Sequence, residues 1–224
     1  MKLVYQRKDG KWEARYKKGK NQKGKTLYGV IYGDSKEEVI RKRVEFLGYN
    51  PDEIMLPQAM NLLILGCGTH GKDIKEIAES LRIFKKIKFL DDNISVDGEV
   101  IGKCSDLVKF RAEFPCAFVA IGDNKTRQKY ITALKQAKFL IPSFVALSAK
   151  VSQNATIGEG VAIMEHCTIN DAFIGDYSII DVGSIVNSET EIGAFSRLDC
   201  GSIVIRGTKL PDYSIVQCGE IYKG

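Results

Sequence analysis

Near the middle of the chain, Gly66-Cys67-Gly68-Thr69-His70-Gly71 holds three glycines in a G-x-G-x-x-G spacing. Where such a run joins a strand to a helix, backbone N–H groups and the positive end of the helix dipole can hold a pyrophosphate. Asp91 stands 20 residues past the last glycine, at the end of the next apolar strand pattern, within reach of a ribose hydroxyl. The competing reading is a glycine turn that only lets strand and helix pack. Metal chemistry finds little support: there are two histidines, His70 and His166, and six scattered cysteines (Cys67, Cys104, Cys116, Cys167, Cys200, Cys218) with no C-x-x-C pair. No zinc site is expected, because zinc needs clustered ligands, and the thiols are expected to be free in a reducing compartment. His166-Cys167 is the one adjacent pair of soft ligands, and adjacency alone does not make a site.

The elements around the loop alternate strand and helix. Asn61 to Leu65 reads as a strand, Ile74, Ile77, Ala78 and Leu81 as the apolar stripe of a helix, and Ile87 to Leu90 as a second strand. A further run, Ala117 to Ile121, leads through Gly122-Asp123-Asn124 into a helix carrying Ile131 and Leu134, and Phe139-Leu140-Ile141 closes the series before Pro142. This order predicts a parallel, Rossmann-like βαβ domain over about residues 60–142.

From Val145 to Val216 an aliphatic residue recurs every six positions. Val145, Val151, Ile157, Ile163 and Ile169 share one register, and Ile174, Ile180, Val186, Ile192, Leu198, Val204, Leu210 and Val216 share a second, displaced by one residue. A period of six fits neither a helix nor a hairpin meander and marks a solenoid. Each hexapeptide would form one face of a triangular coil with its aliphatic side chain inward. The expected fold is a left-handed parallel β-helix over residues 143–224, with Gly158, Gly175 and Gly193 placed where the chain bends between faces.

Over residues 60 to 220 the chain resembles the sialic-acid and bacillosamine acetyltransferases, enzymes that acylate nucleotide sugars. The likeness rests on Ile64-Leu65-Gly66-Cys67-Gly68-Thr69-His70-Gly71-Lys72, Phe89-Leu90-Asp91-Asp92, Ala120-Ile121-Gly122-Asp123-Asn124 with Arg127, and the hexapeptide solenoid. It implies that Gly66, Gly68, His70, Gly71, Asp91 and Asp92 bind the nucleotide sugar. It further implies that acetyl-CoA, as co-substrate, lies along the solenoid, and that a homotrimer forms its active sites between neighbouring subunits.

The chain departs from the family pattern where a base is needed. The family's solenoid histidine, followed by an acidic residue, corresponds to Ser188 and Glu189 within Asp181-Val182-Gly183-Ser184-Ile185-Val186-Asn187-Ser188-Glu189. A second family histidine corresponds to Arg197, a third is absent at Ile141-Pro142-Ser143, and the family's C-terminal turn near CoA is replaced by Val216-Gln217-Cys218-Gly219-Glu220. Acetyl transfer needs a base for the attacking group and a donor for the thioester oxyanion. Ser188 and Glu189 are the catalytic candidates, and Gly183 and Gly201 are cofactor-side candidates whose backbone N–H groups could face the oxyanion. His166 is a candidate displaced base, set against a plain solvent-facing reading.

Residues 1–50 carry 14 Lys and Arg against 6 Asp and Glu, while the remainder carries 19 against 22, so the positive charge belongs to one module. Trp12, Ala14 and Tyr16 alternate with Glu13, Arg15 and Lys17 as in a strand with one apolar face; Thr26 to Tyr32 follows as its hairpin partner. Ser35 and Glu38 form a capping box for a helix with the stripe Val39, Ile40, Val44 and Leu47. Pro51 and Pro57 mark the linker. This small α+β module resembles the arm-type DNA-binding domain of tyrosine recombinases over residues 5 to 47, implying weak contact with nucleic acid; a protein-docking module is the alternative. No run approaches the roughly 18 apolar residues of a membrane span, and the first residues lack a signal peptide's apolar core, so a cytoplasmic location and no membrane partner are expected. Two readings of function stand: an acetyltransferase with altered catalytic residues, or a non-catalytic nucleotide-sugar-binding or scaffold protein.

Overall fold

The computed structural model describes residues 4–20, 26–46, 60–93 and 98–224. The chain divides into two units, Met1–Pro57 and Gln58–Gly224. In the first, β1 (Val4–Gln6), β2 (Trp12–Lys20) and β3 (Thr26–Gly33) form an antiparallel sheet in that order, followed by α1 (Lys36–Phe46). The helix start matches its capping signal: Ser35 Oγ accepts from the Glu38 N–H at 3.0 Å, and the Glu38 carboxylate accepts from the Asp34 N–H at 2.7 Å. Ala14 and Val39 are fully buried. Glu13, expected on the polar face, is buried as well. It sits on the central strand opposite Tyr32, with Arg7 3.9 Å from its carboxylate. The expected hairpin tip and the Pro51–Pro57 linker lie outside the described residues.

The second unit begins with the parallel sheet. β4 (Asn61–Leu65), β5 (Lys86–Leu90), β6 (Val100–Gly102) and β7 (Cys116–Val119) lie in the order β6-β5-β4-β7, every pair parallel. Helix α2 (Thr69–Leu81) follows β4, a 3-10 turn (Cys104–Asp106) and the short α3 (Leu107–Phe110) follow β6, and α4 (Asn124–Gln136) follows β7. Phe139–Ile141, expected as a strand, makes a single bridge, Leu140 to Cys116, because Pro142 turns the chain into the solenoid at once.

The hexapeptide spacing builds three parallel ladders of five, five and four strands. The first face stacks Phe144–Val145, Ala162–Ile163, Ile179–Ile180, Arg197–Leu198 and Ile215–Val216. The second stacks Lys150–Val151, Thr168–Ile169, Ile185–Val186, Ile203–Val204 and Ile221–Tyr222, one strand beyond the last repeat expected. The third stacks Thr156–Ile157, Ala172–Ile174, Thr190–Ile192 and Lys209–Leu210. The coil rises 18 residues per turn, as in Ile180 beside Leu198, except where the displaced register shortens it to 17, as in Ile163 beside Ile180. From Ile163 upward the inward residues are buried. Together the three faces form a β-helix.

The glycines after the aliphatic positions serve close packing rather than bending. A Cβ on Gly193 would lie 2.4 Å from the Asp212 nitrogen of the next coil, and one on Gly175 2.6 Å from that of Ala194. The left-handed corners stand elsewhere in columns: Tyr177, Phe195 and Tyr213 in one, His166, Gly183, Gly201 and Gly219 in another.

The sheet and the solenoid share two cores. On one side of the sheet Ile74, Ile77 and Ala78 of α2 pack with Leu62, Phe89 and Phe118 and with the outer side of the first face, at Phe144, Ala162 and Ile179. Phe118 meets Phe144 edge to face, ring centroids 5.1 Å apart, a contact worth about 0.5–1.5 kcal/mol beyond its buried area. On the other side Ile131 and Leu134 of α4 pack with Leu63, Leu65 and Tyr177.

Candidate active site

The glycine run leaves the sheet where strand order reverses, between β4 and β7. Gly66, at φ +99°, donates its N–H to the Leu90 carbonyl at 2.8 Å, and a Cβ there would lie 2.9 Å from the Ala120 carbonyl oxygen. Gly71, in the first turn of α2, is tighter: its Cβ would lie 2.0 Å from the Gly66 carbonyl oxygen. Gly68 differs from both, with open space where a Cβ would stand. It occupies the cap position of α2 and supplies no side chain, so the first-turn N–H groups face the loop mouth uncapped.

Asp91 and Asp92 close the loop from the end of β5. One Asp91 oxygen accepts from the Cys67 N–H at 2.7 Å and the other from the Asn93 N–H at 2.8 Å. Asp91 therefore braces the glycine run, and only its remaining lone pairs face outward. Asp92 accepts from the Cys104 N–H and from the Tyr130 hydroxyl, both at 2.9 Å, tying β5 to α4 at the end of a cleft of about 440 Å³. Burial, with Asp92 and Asp91 adding, pushes the Cys104 thiol up to about 12, which rules it out as a nucleophile near neutral pH. Burial, then the bond to Asp92, pushes Tyr130 up to about 12.

His70 faces the solenoid. Its Nε2 is enclosed with no hydrogen-bond partner. Burial pulls the imidazole down to about 4; Asp181 opposes this while Arg127 and Arg197 add to it, so the ring is neutral at pH 7. Arg197 stands on the outer side of the first face, between Ile179 and Ile215, just above the rungs that α2 covers. Its Nε pairs with Asp199, and its Nη1 lies 2.8 Å from where a Cβ on Gly122 would be.

The structure thus places Gly66, Gly68 and Gly71 in one loop braced by Asp91, with His70 turned to the solenoid and Asp92 bonded to Cys104 and Tyr130. It does not bring Ser188 and Glu189 there. They occupy the corner between the second and third faces, away from the first face that α2 covers. Glu189 is exposed, and its bond to Arg206 holds its carboxyl below the usual range. Gly183 and Gly201 form a third location, the corner column between the first and second faces. Their N–H groups already donate, to the carbonyls of Glu165 (2.9 Å) and Val182 (2.8 Å), so the expectation of free oxyanion donors there is not met. Both glycines leave the corner bare, with no atom within 4 Å of a Cβ position. His166 heads this column, exposed. Asp181 acts on His70 and Asp199 pairs with Arg197; the sequence signals this acidic pair only by its 18-residue spacing, one turn of the coil.

Residues 61–134 match the family model of the PglD N-terminal domain. The chain is similar to a perosamine N-acetyltransferase from Caulobacter crescentus, solved as a histidine-to-asparagine variant with CoA and GDP-perosamine. Identity is 28%, covering 73% of this chain and 88% of that one, with a TM-score of 0.64. A histidine-to-alanine variant of the same enzyme gives 27% identity over the same shares and a TM-score of 0.65. The acetyltransferase domain of PglB from Neisseria gonorrhoeae, in complex with acetyl coenzyme A, matches at 25% identity over 70% of this chain and 95% of that domain, with a TM-score of 0.53. The matches support a nucleotide-sugar acetyltransferase family. Within that likeness the PglD-type segment is the parallel sheet that carries the glycine run, and the family model leaves residues 1–60 unmatched. No helix among the described residues is long and apolar enough to cross a membrane.

Proposed function

We propose that this protein is an acetyl-CoA-dependent N-acetyltransferase acting on a nucleotide-linked amino sugar, built on a Rossmann-like sheet and a left-handed β-helix. The observation that carries the reading is the open mouth at Gly68. A glycine with no steric need for its missing Cβ, at an uncapped helix start beside a braced loop, leaves room for a diphosphate to approach the backbone. The relatives that resemble this chain bind CoA together with a nucleotide sugar, or acetyl-CoA.

In the proposed reaction the sugar amine attacks the thioester carbonyl, a C–N bond forms, the C–S bond breaks, and the amine's proton leaves as CoA departs as a thiol. Ser188 cannot accept that proton at neutral pH, and Glu189 is held ionised by Arg206. A weak carboxylate base acting on an amine already partly neutral gives slow transfer, since a positioned base contributes roughly 10²–10⁴ in rate.

The Ser188–Glu189 corner and the glycine mouth lie on different sides of one coil, so a neighbouring subunit would have to supply one to the other. The outward column Ile185, Ile203 and Ile221 on the second face, with Ile221 52% exposed, supports a homotrimer. Acetyl-CoA would run along the bare Gly183–Gly201 column. Incubation with acetyl-CoA and UDP- or GDP-linked amino sugars, with release of the CoA thiol followed, tests the reading. The non-catalytic alternative is favoured by the Glu189–Arg206 pair and would appear as nucleotide-sugar binding without thiol release. For the basic module, its charge supports weak contact with nucleic acid, and salt-dependent retention on DNA is its test.

A further inference from the structure

Arg127 is 2% exposed and has no ion-pair partner among the described residues. Every bond it makes is to a neutral acceptor. Nε donates to the Tyr177 carbonyl at 2.9 Å, and Nη1 to the carbonyls of Ile121 (2.9 Å) and Gly122 (2.8 Å). Nη2 donates to Asn124 Oδ1 (2.7 Å) and to the carbonyls of Phe195 (2.8 Å) and Ser196 (3.5 Å). A buried cation with no carboxylate bonded to it is costly; burial pulls this guanidinium down to about 10, with Arg197 adding and Asp123 opposing.

The fork joins two separate pieces. Ile121 and Gly122 form the turn between β7 and α4, on the sheet side. Tyr177 and Phe195 are corner residues of successive coils, on the solenoid side. Their rings lie 5.0 Å apart at a tilt of 35°, and Phe195 stacks on Tyr213 at 5.4 Å. Asn124 Nδ2 extends the tie by donating to the Tyr213 carbonyl at 3.0 Å. Gly122 at one end of the fork faces Arg197, and Ser196 at the other end is Arg197's chain neighbour. Among these residues only a planar fork reaches both sides at once; a lysine has one nitrogen for six acceptors.

We propose that Arg127 is a positioning residue whose guanidinium fixes the separation between the β7–α4 turn and the Tyr177 and Phe195 corners, and so sets how the start of α2, at His70, sits against the first face of the solenoid, at Arg197. The functional consequence rests on the nucleotide-sugar reading above; the geometric one does not. His70 reports that placement, because the charged groups acting on it come from three places: Arg127 from α4, Asp181 from the corner after Ile179–Ile180, and Arg197 from the next rung of the first face.

The test uses the full chain with Arg127→Lys and Arg127→Met, reading melting temperature, affinity for UDP and GDP by calorimetry, and the imidazole titration by NMR. With only two histidines in the chain, the His70 signal is readily assigned. Both variants are expected to weaken whichever nucleotide binds by roughly ten- to a hundred-fold. Both should also raise the His70 midpoint, as water reaches an imidazole now less enclosed. Arg127→Lys is the deciding variant, because it keeps the charge and loses only the fork. A folded Arg127→Lys protein with wild-type midpoint and wild-type nucleotide affinity, altered only in melting temperature, overturns the proposal. If Arg127→Met does not fold, Arg127→Lys decides alone. If the wild type binds neither UDP nor GDP, the nucleotide reading falls, and the His70 midpoint in Arg127→Lys still decides the positioning role.

Discussion

Substituting two glycines of one loop should separate folding from binding. At Gly71 an added methyl group would lie 2.0 Å from the Gly66 carbonyl oxygen, a backbone atom that cannot swing aside. Contact requires about 3.4 Å, so helix and loop must part by more than an ångström. Overpacking of that kind costs about 1–3 kcal/mol. For a unit spanning Gln58–Gly224 it corresponds to a melting temperature lower by roughly 2–12 °C. At Gly68 the backbone is extended, at φ −72° and ψ −170°, and nothing lies within 4 Å of the new Cβ. Alanine there should hold or slightly raise the melting temperature, since it lowers the entropy of the unfolded chain by about 0.4–1 kcal/mol. A valine at Gly68 should keep the fold and fill the space that a diphosphate needs, abolishing nucleotide-sugar binding. Scanning calorimetry with titration of UDP- and GDP-sugars reads both effects. A Gly71→Ala protein as stable as wild type would refute the packing argument. A folded Gly68→Val protein with unchanged affinity would show that the run is only a packing turn.

The other expectations are independent of one another. His70 has a folded pKa of about 4 against 6.5 for the free side chain, so the unfolded chain takes up the proton first and stability falls as pH drops from 6.5 to 4. The loss is on the order of 3 kcal/mol, and His70→Gln should flatten it in urea unfolding measured across that range. Ser188→His should raise acetyl transfer roughly ten- to a thousand-fold, short of a full base contribution because the corner was not shaped around an imidazole; thiol release by the two proteins checks it. Ile203→Lys should turn a trimer into smaller species in sedimentation. Deleting residues 1–50 should abolish low-salt retention on DNA, and unchanged retention would end the nucleic-acid reading of the basic module.

The solenoid was legible because its constraint is one-dimensional. One aliphatic side chain must point inward every six residues, and the 17-residue turn is the same slip visible between Ile169 and Ile174. The glycine run was legible as a turn, but the orientation of Asp91 was not, since the Cys67 amide that turns it comes from another strand's end. Strand β6 escaped because three residues carry no period. Glu13 misled because alternation assigns a face without knowing that strands on both sides enclose it. The distance between Ser188 and the glycine mouth is a property of coil geometry, invisible to a linear alignment of motifs. Arg127 could be matched to a family pattern, yet its six acceptors come from segments up to 69 residues away.

The most direct measurement is CoA thiol release by the purified full-length protein supplied with acetyl-CoA and a panel of UDP- and GDP-linked amino sugars, with the sugar product weighed by mass spectrometry. Slow, stoichiometric release is expected, matched by a nucleotide sugar heavier by one acetyl group, with amine acceptors ahead of hydroxyl acceptors. No thiol release with any acceptor, together with no binding of CoA or of nucleotide sugar in calorimetry, would contradict the acetyltransferase assignment and leave the β-helix as a scaffold.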